Sequence, residues 1–475
     1  MAKTCVTIVL TPQRKASMPR VFRFIASALV VMFGFSQAVP SATNASPPNV
    51  YQCDGPCHGR PVPTFPAQKI QHVIVIVQEN RTPDNLFQGL PGADIASSGL
   101  NSKGVTVTLV PRPLAGHYDL DHSHAGFLTE YAGGAMNGWD LEKMTCAGTC
   151  KPLTAFAYVP KSETKPYFTM ASTYTFGDKT FQDNQGPSFP AHQFIIAGTS
   201  TDKVGSPLLA AENLFYHTGT WVTGANCGGS PLNKVTMIDP MTGAETATRP
   251  PCFEHPTIMD LLDAKSISWR YYNSVSGGYW SGPDAIKHMR FGPQWKNVIV
   301  PETTILTDIK AGTLAQVSWV IPSPAESDHA VSNNGSGPAW VASIVNAVGK
   351  SKYWGSTAIF ITWDDWGGWF DHVKPVIYNK YEVGFRVPLI VVSPYAKLAY
   401  VSHVQHEQAS ILHFIETNFG LGTLGYADER ADNLADCFNF SQSPTPYAYI
   451  PTPGWTAADL AKAAGPSNVP PDDDF

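Results

Sequence analysis

The chain has 475 residues, of which 43% are hydrophobic and 15% charged, and this balance excludes a disordered chain or a coiled coil. The net charge of −6 and the lack of an arginine-rich stretch argue against nucleic-acid binding, which depends on Lys and Arg contacts to phosphates. We expect one large α/β domain with loop insertions rather than two or three domains.

The first 38 residues have the features of an export signal. Arg20 and Arg23 precede a short apolar run at residues 24–35, and small residues follow it. Twelve apolar residues are too few to cross a bilayer, which needs about 20, so we predict cleavage rather than a membrane anchor. Cleavage would remove five basic residues and no acid, which takes the net charge from −6 to −11. The sequence therefore predicts a secreted or periplasmic protein without a stable membrane span.

Closely spaced cysteines follow the signal. In an oxidising compartment such pairs predict disulfides that hold surface loops. A metal site is the alternative, but a C-x3-C spacing is not the usual C-x2-C metal knuckle. The predicted pairs are Cys53 with Cys57, Cys146 with Cys150, and Cys227 with Cys252, and Cys437 is left unpaired.

Unbroken β-branched runs predict buried strands of a parallel sheet. After an extended, Pro-rich lead-in at 39–66, the first run is at 69–77. Further predicted strands are at 317–321, 357–362 and 387–392.

Amphipathic patterns predict helices at 338–349 and 407–419, and Gly420 is placed to end the second helix. Strands that alternate with helices predict an α/β fold. The catalytic domain would span 67–440, with an insertion at about 200–255 and a loosely packed tail at 441–475.

Polar residues follow three of the predicted strands. The pairs are Glu79-Asn80, Asp328-His329 and Asp364-Asp365. Because the carboxyl ends of parallel strands meet at one edge, we expect these side chains to converge on a divalent cation. Each pair alone has an ordinary interpretation, as an Asx turn, a polar pair or a solvated turn. Asp371-His372, slightly further on, is equally compatible with a structural pair.

Ser188 is the candidate nucleophile. It follows a Gly-Pro turn and precedes a helical pattern. A serine there can be an ordinary helix cap, and the same position suits a phosphoserine, because backbone N–H groups at a helix start favour an anion. A second polar stretch contains His122 and His124, which are either surface residues or phosphate-binding and proton-donating groups.

The motifs HVIVIVQENRTPDNLF, QGPSFPAHQFIIAGT and SDHAVSNNGSGPAW, in this order, resemble a bacterial phosphoesterase family within the alkaline phosphatase superfamily. That family contains phosphocholine-type phospholipases C and an acid phosphatase, and the resemblance covers roughly residues 70–440. It implies an alkaline-phosphatase-like, three-layer α/β/α sandwich with a mostly parallel central sheet. It also implies a metal-dependent phosphoester hydrolase that forms a phosphoserine.

The resemblance implies a role for each matching residue. Ser188 is the expected nucleophile, and His122 and His329 are expected to contact the phosphoryl group or to protonate the leaving group. Asn80 is also expected to offset charge on the phosphoryl oxygens, and His403 matches a late V-x-H element or has a structural role. The expected phosphate binding by His124 comes from the polar stretch itself and not from the resemblance. The implied ligands of a divalent metal ion are Glu79, Asn80, Ser188, Asp364 and Asp365.

One departure from the family pattern is Gln408, where many members have a histidine; His406 stands two residues earlier. The substrate is either a small phosphate ester or a phospholipid. A phospholipase would need an apolar rim, which Trp363, Trp366, Trp369 and Phe370 could form if they are not core residues. The alternative function is a secreted, non-catalytic binding protein on the same fold.

Overall fold

The computed structural model describes Phe65 and residues 69–116, 118–146, 149–215, 224–275 and 278–463. The predicted signal peptide, the Cys53–Cys57 disulfide and all of the lead-in except Phe65 lie outside these residues and stay predictions. The other two disulfides, Cys146–Cys150 and Cys227–Cys252, are present, and Cys437 is a buried free thiol.

An eight-stranded sheet forms the centre of the fold. Its strands, in chain order, are β1 (His72–Gln78), β2 (Thr175–Gly177), β3 (Trp269–Tyr272), β4 (Val298–Ile299), β5 (Val317–Val320), β6 (Thr357–Trp363), β7 (Leu389–Val392) and β8 (Tyr400–Ser402). Their spatial order is β4-β3-β5-β1-β6-β7-β2-β8. The predicted mostly parallel sheet is confirmed, with β1 paired in parallel to β5 and to β6.

The direction of β7 differs from the prediction. We expected the run at 387–392 to be a parallel strand, but β7 runs antiparallel to both β6 and β2. Consecutive parallel strands need a crossover connection, usually a helix. The segment 364–388 contains no helix, and the chain therefore returns beside β6 in the opposite direction.

Helices cover both faces of this sheet. Those among the described residues are α1 (Pro83–Leu86), α2 (His124–Tyr131), α3 (Lys165–Thr173), α4 (Ser188–Ala197), α5 (Ile258–Ala264), α6 (Lys287–Phe291), α7 (Thr304–Ala311), α8 (Gly337–Gly349), α9 (Ala409–Phe419), α10 (Ala427–Arg430) and α11 (Ala457–Ala463). Val73, Val75 and Val77 of β1 pack with α4, α5 and α9, whereas Ile74 and Ile76 pack with α3, α7 and α8. This alternation explains the unbroken apolar run of β1, because both of its faces are buried.

A separate antiparallel sheet lies within the predicted insertion. Its strands are Leu209–Phe215, Lys234–Asp239 and Ala244–Arg249. Short two-stranded ladders join Ser98–Leu100 to Thr106–Thr108, Val110–Pro111 to Ala157–Tyr158, Tyr118–Leu120 to Met144–Cys146, and Thr180–Phe181 to His406–Glu407.

The segment after Ser441 packs more closely than we expected from its prolines. The Asn346 side chain donates a hydrogen bond to Ile450 O (2.9 Å) and accepts one from Ile450 N (3.0 Å). Ile450 is fully buried, and Tyr447 packs edge-on against Trp354. An amide of α8 thus pairs the extended backbone that a proline-rich segment cannot pair by itself.

None of the helices in the described part of the chain has the length and apolar content needed to cross a membrane.

Candidate active site

The ends of β1 and β6 place two acidic residues side by side. Gln78 is paired with Trp363, and therefore Glu79 and Asp364 leave the sheet together. The Asp364 N–H donates to Gln78 O (2.9 Å), and the Asn80 N–H donates to Asp364 Oδ1 (3.0 Å). The predicted convergence of these two strand ends is therefore present.

The backbone of Asn80 is closely packed against a glycine. Asn80 has φ +62°, in the left-handed region that asparagine tolerates better than most residues. Gly367 also has φ +62°, and a Cβ there would lie 2.5 Å from Asn80 Cβ and 2.6 Å from Asn80 O. Only glycine at 367 allows the loop after β6 to approach Asn80 this closely.

Ser188 is the first residue of α4, a helix that is buried along its whole length. The Phe189 N–H at this helix start donates to Asn213 Oδ1 (2.9 Å). The Ser188 hydroxyl lies 3.4 Å from Glu79 Oε2 and 3.4 Å from Asp365 Oδ2. The structure therefore brings the candidate nucleophile to the acidic residues at the sheet edge.

His192 joins this site, although it was not among the residues predicted from the sequence. Its Nε2 lies 3.1 Å from Glu79 Oε1 and 3.7 Å from Asp364 Oδ2. One ligand atom each from Glu79, His192 and Asp364 lies within 4.8 Å of the others, so these three residues could hold a metal ion. The signal was the four-residue spacing from Ser188, which places both side chains on one face of a helix.

The predicted ligands fit a divalent cation. Asn80 Oδ1 and Asp364 Oδ2 are buried and make no hydrogen bond to any residue that the structure describes. A buried acceptor without a donor costs free energy, about 1–3 kcal/mol for an uncharged group and more for a carboxylate. A cation bound by oxygen and nitrogen ligands would satisfy both atoms. All five predicted ligands are at most 2% exposed, and this burial strengthens their electrostatic interaction with a cation.

His122 holds the side chain of Asn80. Its Nδ1 lies 2.7 Å from Leu120 O, so this nitrogen carries the hydrogen, because a carbonyl can only accept. Its Nε2 lies 3.0 Å from Asn80 Nδ2 and accepts from that amide. The ring of His329 lies near, with a centroid separation of 6.0 Å.

The loop that carries His329 is fixed by its neighbour Asp328. Tyr167 and Trp363 each donate to Asp328 Oδ2 at 2.9 Å. The Arg81 guanidinium donates to Asp328 O through Nε (2.9 Å) and one terminal nitrogen (2.7 Å). Burial raises the pKa of the Asp328 carboxyl to about 6, against the opposing charge of Arg81. These contacts hold His329 beside the site from the end of β5.

The structure places His124 with a different set of partners. Its Nδ1 lies 2.5 Å from Glu245 Oε1, and its backbone N–H donates to Glu212. Both glutamates belong to the three-stranded antiparallel sheet. The phosphate-binding role of His124 stays a prediction.

Asp371 and His372 form part of a structural network. Arg386 donates to both oxygens of Asp371 (2.8 and 2.9 Å), and His372 Nδ1 lies 2.7 Å from Asp84 Oδ2. Asp84, Asp371 and His372 have a spacing that could hold a metal ion. The guanidinium already supplies the positive charge there, so we interpret this group as an ion-pair network.

The other histidines from the sequence analysis have structural contacts. The His403 side chain is 58% exposed and pairs with Asp178 at 2.7 Å. His406 is buried, with Nδ1 2.8 Å from Asp432 Oδ1 and Nε2 3.0 Å from Ser402 Oγ. The four aromatic residues at the end of β6 and just after it are buried core residues and form no exposed rim: Trp363, Trp366, Trp369 and Phe370.

Comparison with known proteins gives a consistent set of relatives. A model of the Phosphoesterase family matches residues 70–422. A non-hemolytic phospholipase C of Burkholderia pseudomallei is 25% identical over 454 residues, which cover 85% of this chain and 64% of that protein. Phospholipase C B of Mycobacterium tuberculosis is 24% identical over 456 residues, which cover 82% of this chain and 81% of that protein. The chain thus spans less than two thirds of the Burkholderia relative.

Among solved structures, a protein in the alkaline phosphatase superfamily from Vibrio parahaemolyticus aligns with a TM-score of 0.35 and 10% identity. That alignment covers 78% of this chain and 72% of the other. A structure described as Ps i-CgsB aligns with a TM-score of 0.39 and 11% identity, covering 79% and 77%.

Proposed function

The chain belongs to the Phosphoesterase family, and from this membership we propose that it hydrolyses phosphate esters by a metal-dependent reaction with Ser188 as nucleophile. The observation that carries the proposal is the position of the Ser188 hydroxyl, 3.4 Å from a carboxylate oxygen of Glu79 and from one of Asp365. Both carboxylates have the oxygen ligands that a divalent metal prefers. The neighbouring oxygens Asn80 Oδ1 and Asp364 Oδ2, which are buried without a hydrogen bond to any described residue, also favour a cation there.

In the first step, Ser188 Oγ attacks phosphorus in line with the leaving group. The Oγ–P bond forms, the ester P–O bond breaks, and the hydroxyl proton passes to a nearby carboxylate of Glu79 or Asp365. A divalent ion held by the predicted ligands would supply positive charge that lowers the serine pKa and offsets charge on the phosphoryl oxygens.

We assign His329 as the acid that protonates the departing alkoxide, because its ring lies beside the site, 6.0 Å from the ring of His122 between centroids. His122 is already committed in this structure, because its Nδ1 donates to Leu120 O and its Nε2 accepts from Asn80. We therefore assign His122 the task of orienting the Asn80 amide toward the phosphate. In the second step water attacks phosphoserine, a new O–P bond forms and the Oγ–P bond breaks. The water gives a proton to His329, and Ser188 takes back the proton held by the carboxyl, so both groups return to their starting states.

The substrate class is a small phosphate ester or a phospholipid. The named relatives are phospholipases C, and we carry that substrate to this chain as a proposal. From the predicted export signal we also propose that the enzyme is secreted or periplasmic. Its type would be that of an acid phosphatase or a phospholipase C.

The test is hydrolysis of p-nitrophenyl phosphate beside p-nitrophenylphosphorylcholine, with and without chelator. We expect chelator-sensitive release by the wild type and a loss of about 10³-fold or more in Ser188→Ala. The control Ser343→Ala changes a half-buried serine of α8 whose hydroxyl donates a hydrogen bond to Trp340 O. The preferred substrate decides between monoesterase and phospholipase C. Full activity in Ser188→Ala would refute the nucleophile, and a folded, metal-loaded protein without activity would favour the binding-protein alternative.

A further inference from the structure

Two buried glutamines, Gln182 and Gln408, connect the loop after β6 to the segment that leads into Ser188. Gln182 is 0% exposed and Gln408 is 2% exposed. The loop after β6 carries the acidic residues, and residues 182–188 carry the nucleophile. Gln408 makes hydrogen bonds to both parts of the site. Gln182, which belongs to the segment of the nucleophile, makes one to the loop and one within its own segment.

Gln408 contacts the acidic side of the site at the strand end. Its Nε2 donates to Trp363 O and to Asp364 O, both at 2.6 Å. Its Oε1 accepts from the Asp183 N–H at 3.3 Å. The Asp183 carboxylate in turn accepts from the Ala409 N–H at the start of α9 (2.9 Å). The residue before α9 therefore ties the backbone of Asp364 to the chain five residues before Ser188.

Gln182 makes a matching connection one step further along both segments. Its Oε1 accepts from the Trp366 N–H (3.1 Å), and its Nε2 donates to Gly186 O (3.2 Å). Trp366 follows Asp365, and Gly186 stands two residues before Ser188. The two side chains thus connect the loop after β6 to the segment before Ser188 at two neighbouring points.

We propose that Gln182 and Gln408 are positioning residues that hold Asp364 and Asp365 in register with Ser188, and so set the affinity of the divalent-metal site. This inference rests on the proposed metal site. Neither glutamine contacts a reacting atom; each acts through the backbone of its neighbours. Residues that orient the ligands of a metal typically change its affinity about 10- to 100-fold when replaced.

The test uses Gln408→Met, which keeps the side-chain length and removes both polar groups, and Gln182→Met. Mn²⁺ is titrated into chelator-stripped protein, and the free ion is followed by electron paramagnetic resonance. We expect at least tenfold weaker Mn²⁺ binding in either variant. At saturating Mn²⁺ we expect a lower kcat with KM changed less than about twofold.

The matched control is Gln185→Met. Gln185 is equally buried in the same segment, but its amide contacts the backbone of residues 382 and 383 instead of the acidic loop. A similar loss of thermal stability in all three variants, with weakened Mn²⁺ binding in Gln182→Met and Gln408→Met alone, supports the positioning role.

If Gln408→Met does not fold, Gln182→Met provides the same readout at the second connection. Wild-type Mn²⁺ affinity in the folded Gln182 and Gln408 variants would overturn the positioning role. A wild type that binds no Mn²⁺ would instead refute the metal site on which it rests.

Discussion

Ser188 and His192 contact opposite oxygens of one carboxylate. Ser188 Oγ lies 3.4 Å from Glu79 Oε2, and His192 Nε2 lies 3.1 Å from Glu79 Oε1. One turn of α4 separates the two residues, so a single helix face holds Glu79 between the proposed nucleophile and an imidazole. Glu79 therefore has little freedom to rotate, which suits its proposed role as a ligand that holds a cation in a fixed geometry.

The first prediction concerns His192. His192→Ala removes the imidazole from Glu79 and Asp364, and we expect about 10- to 100-fold weaker metal binding with the fold retained. Metal titration of stripped protein measures this change. His413→Ala is the control, because His413 lies half-buried on α9 and contacts the backbone at Ala431 O. Unchanged metal affinity in His192→Ala would contradict a role in the site.

The second prediction compares two glycines that have the same φ of +62°. Gly420→Ala meets no atom within 4 Å, so we expect only the left-handed strain of about 1 kcal/mol in the free energy of unfolding. Gly367→Ala would clash with the backbone of Asn80, so it should cost about 3 kcal/mol or more and lower activity strongly. Urea unfolding and kcat of the two variants test this. Equal effects of the two substitutions on unfolding free energy and kcat would contradict a special role for the close approach of Gly367 to Asn80.

These glycines also show where sequence reasoning ended. Gly420 was predicted from its position after an apolar helix, which is a local pattern. The close approach of Gly367 to Asn80 joins residues that are 287 positions apart, and no local pattern contains it. The strands at the centre of the sheet were predictable because β1 and β6 are apolar on both faces.

The candidate site also contains residues that a local sequence pattern predicts and residues that it does not. Glu79, Asn80, Ser188 and Asp364 could be predicted because each follows or starts a recognisable element. His192 was missed because α4 is buried along its whole length and mostly apolar, so a histidine within it gives no local sign of a role as a ligand. The antiparallel direction of β7 was missed because a β-branched run has no direction until its connection is known.

The third prediction concerns pH and His406. Burial lowers the pKa of His406, but the hydrogen bonds and charges of Asp432 and Cys437 together outweigh this and raise the pKa to about 10. A folded-state pKa above the unfolded value of 6.5 stabilises the fold fully below pH 6.5, and this contribution is lost as pH rises toward 10.

We expect His406→Gln to cost about 2–4 kcal/mol in the free energy of unfolding at pH 6 and much less at pH 10. Asp432→Asn should flatten the same pH dependence, because it removes the partner of the imidazolium. Urea unfolding from pH 6 to pH 10 measures both variants. If the loss of unfolding free energy in His406→Gln grew with rising pH, this would contradict a stabilising His406–Asp432 ion pair.

The fourth prediction concerns metal removal. The site gathers buried acceptors that lack donors, so the stripped protein should have a lower Tm than the metal-loaded protein. Re-added ion should raise the Tm, because binding to the folded state alone stabilises that state. At an ion concentration 100 times the Kd, this adds about 2.7 kcal/mol to the free energy of unfolding. Thermal unfolding across a metal titration measures this, and Asp364→Asn should show a much smaller shift. A Tm that responds neither to chelator nor to added ion would contradict the metal site.

The central claim is that Ser188 carries the phosphoryl group during turnover. The most direct measurement is acid quenching of the metal-loaded enzyme during turnover of p-nitrophenyl phosphate and of p-nitrophenylphosphorylcholine, followed by peptide mass spectrometry. We predict one added phosphoryl or phosphorylcholine group on the peptide that contains Ser188, and none in Ser188→Ala. Turnover with no adduct on Ser188, or with an adduct on another residue, would contradict the account.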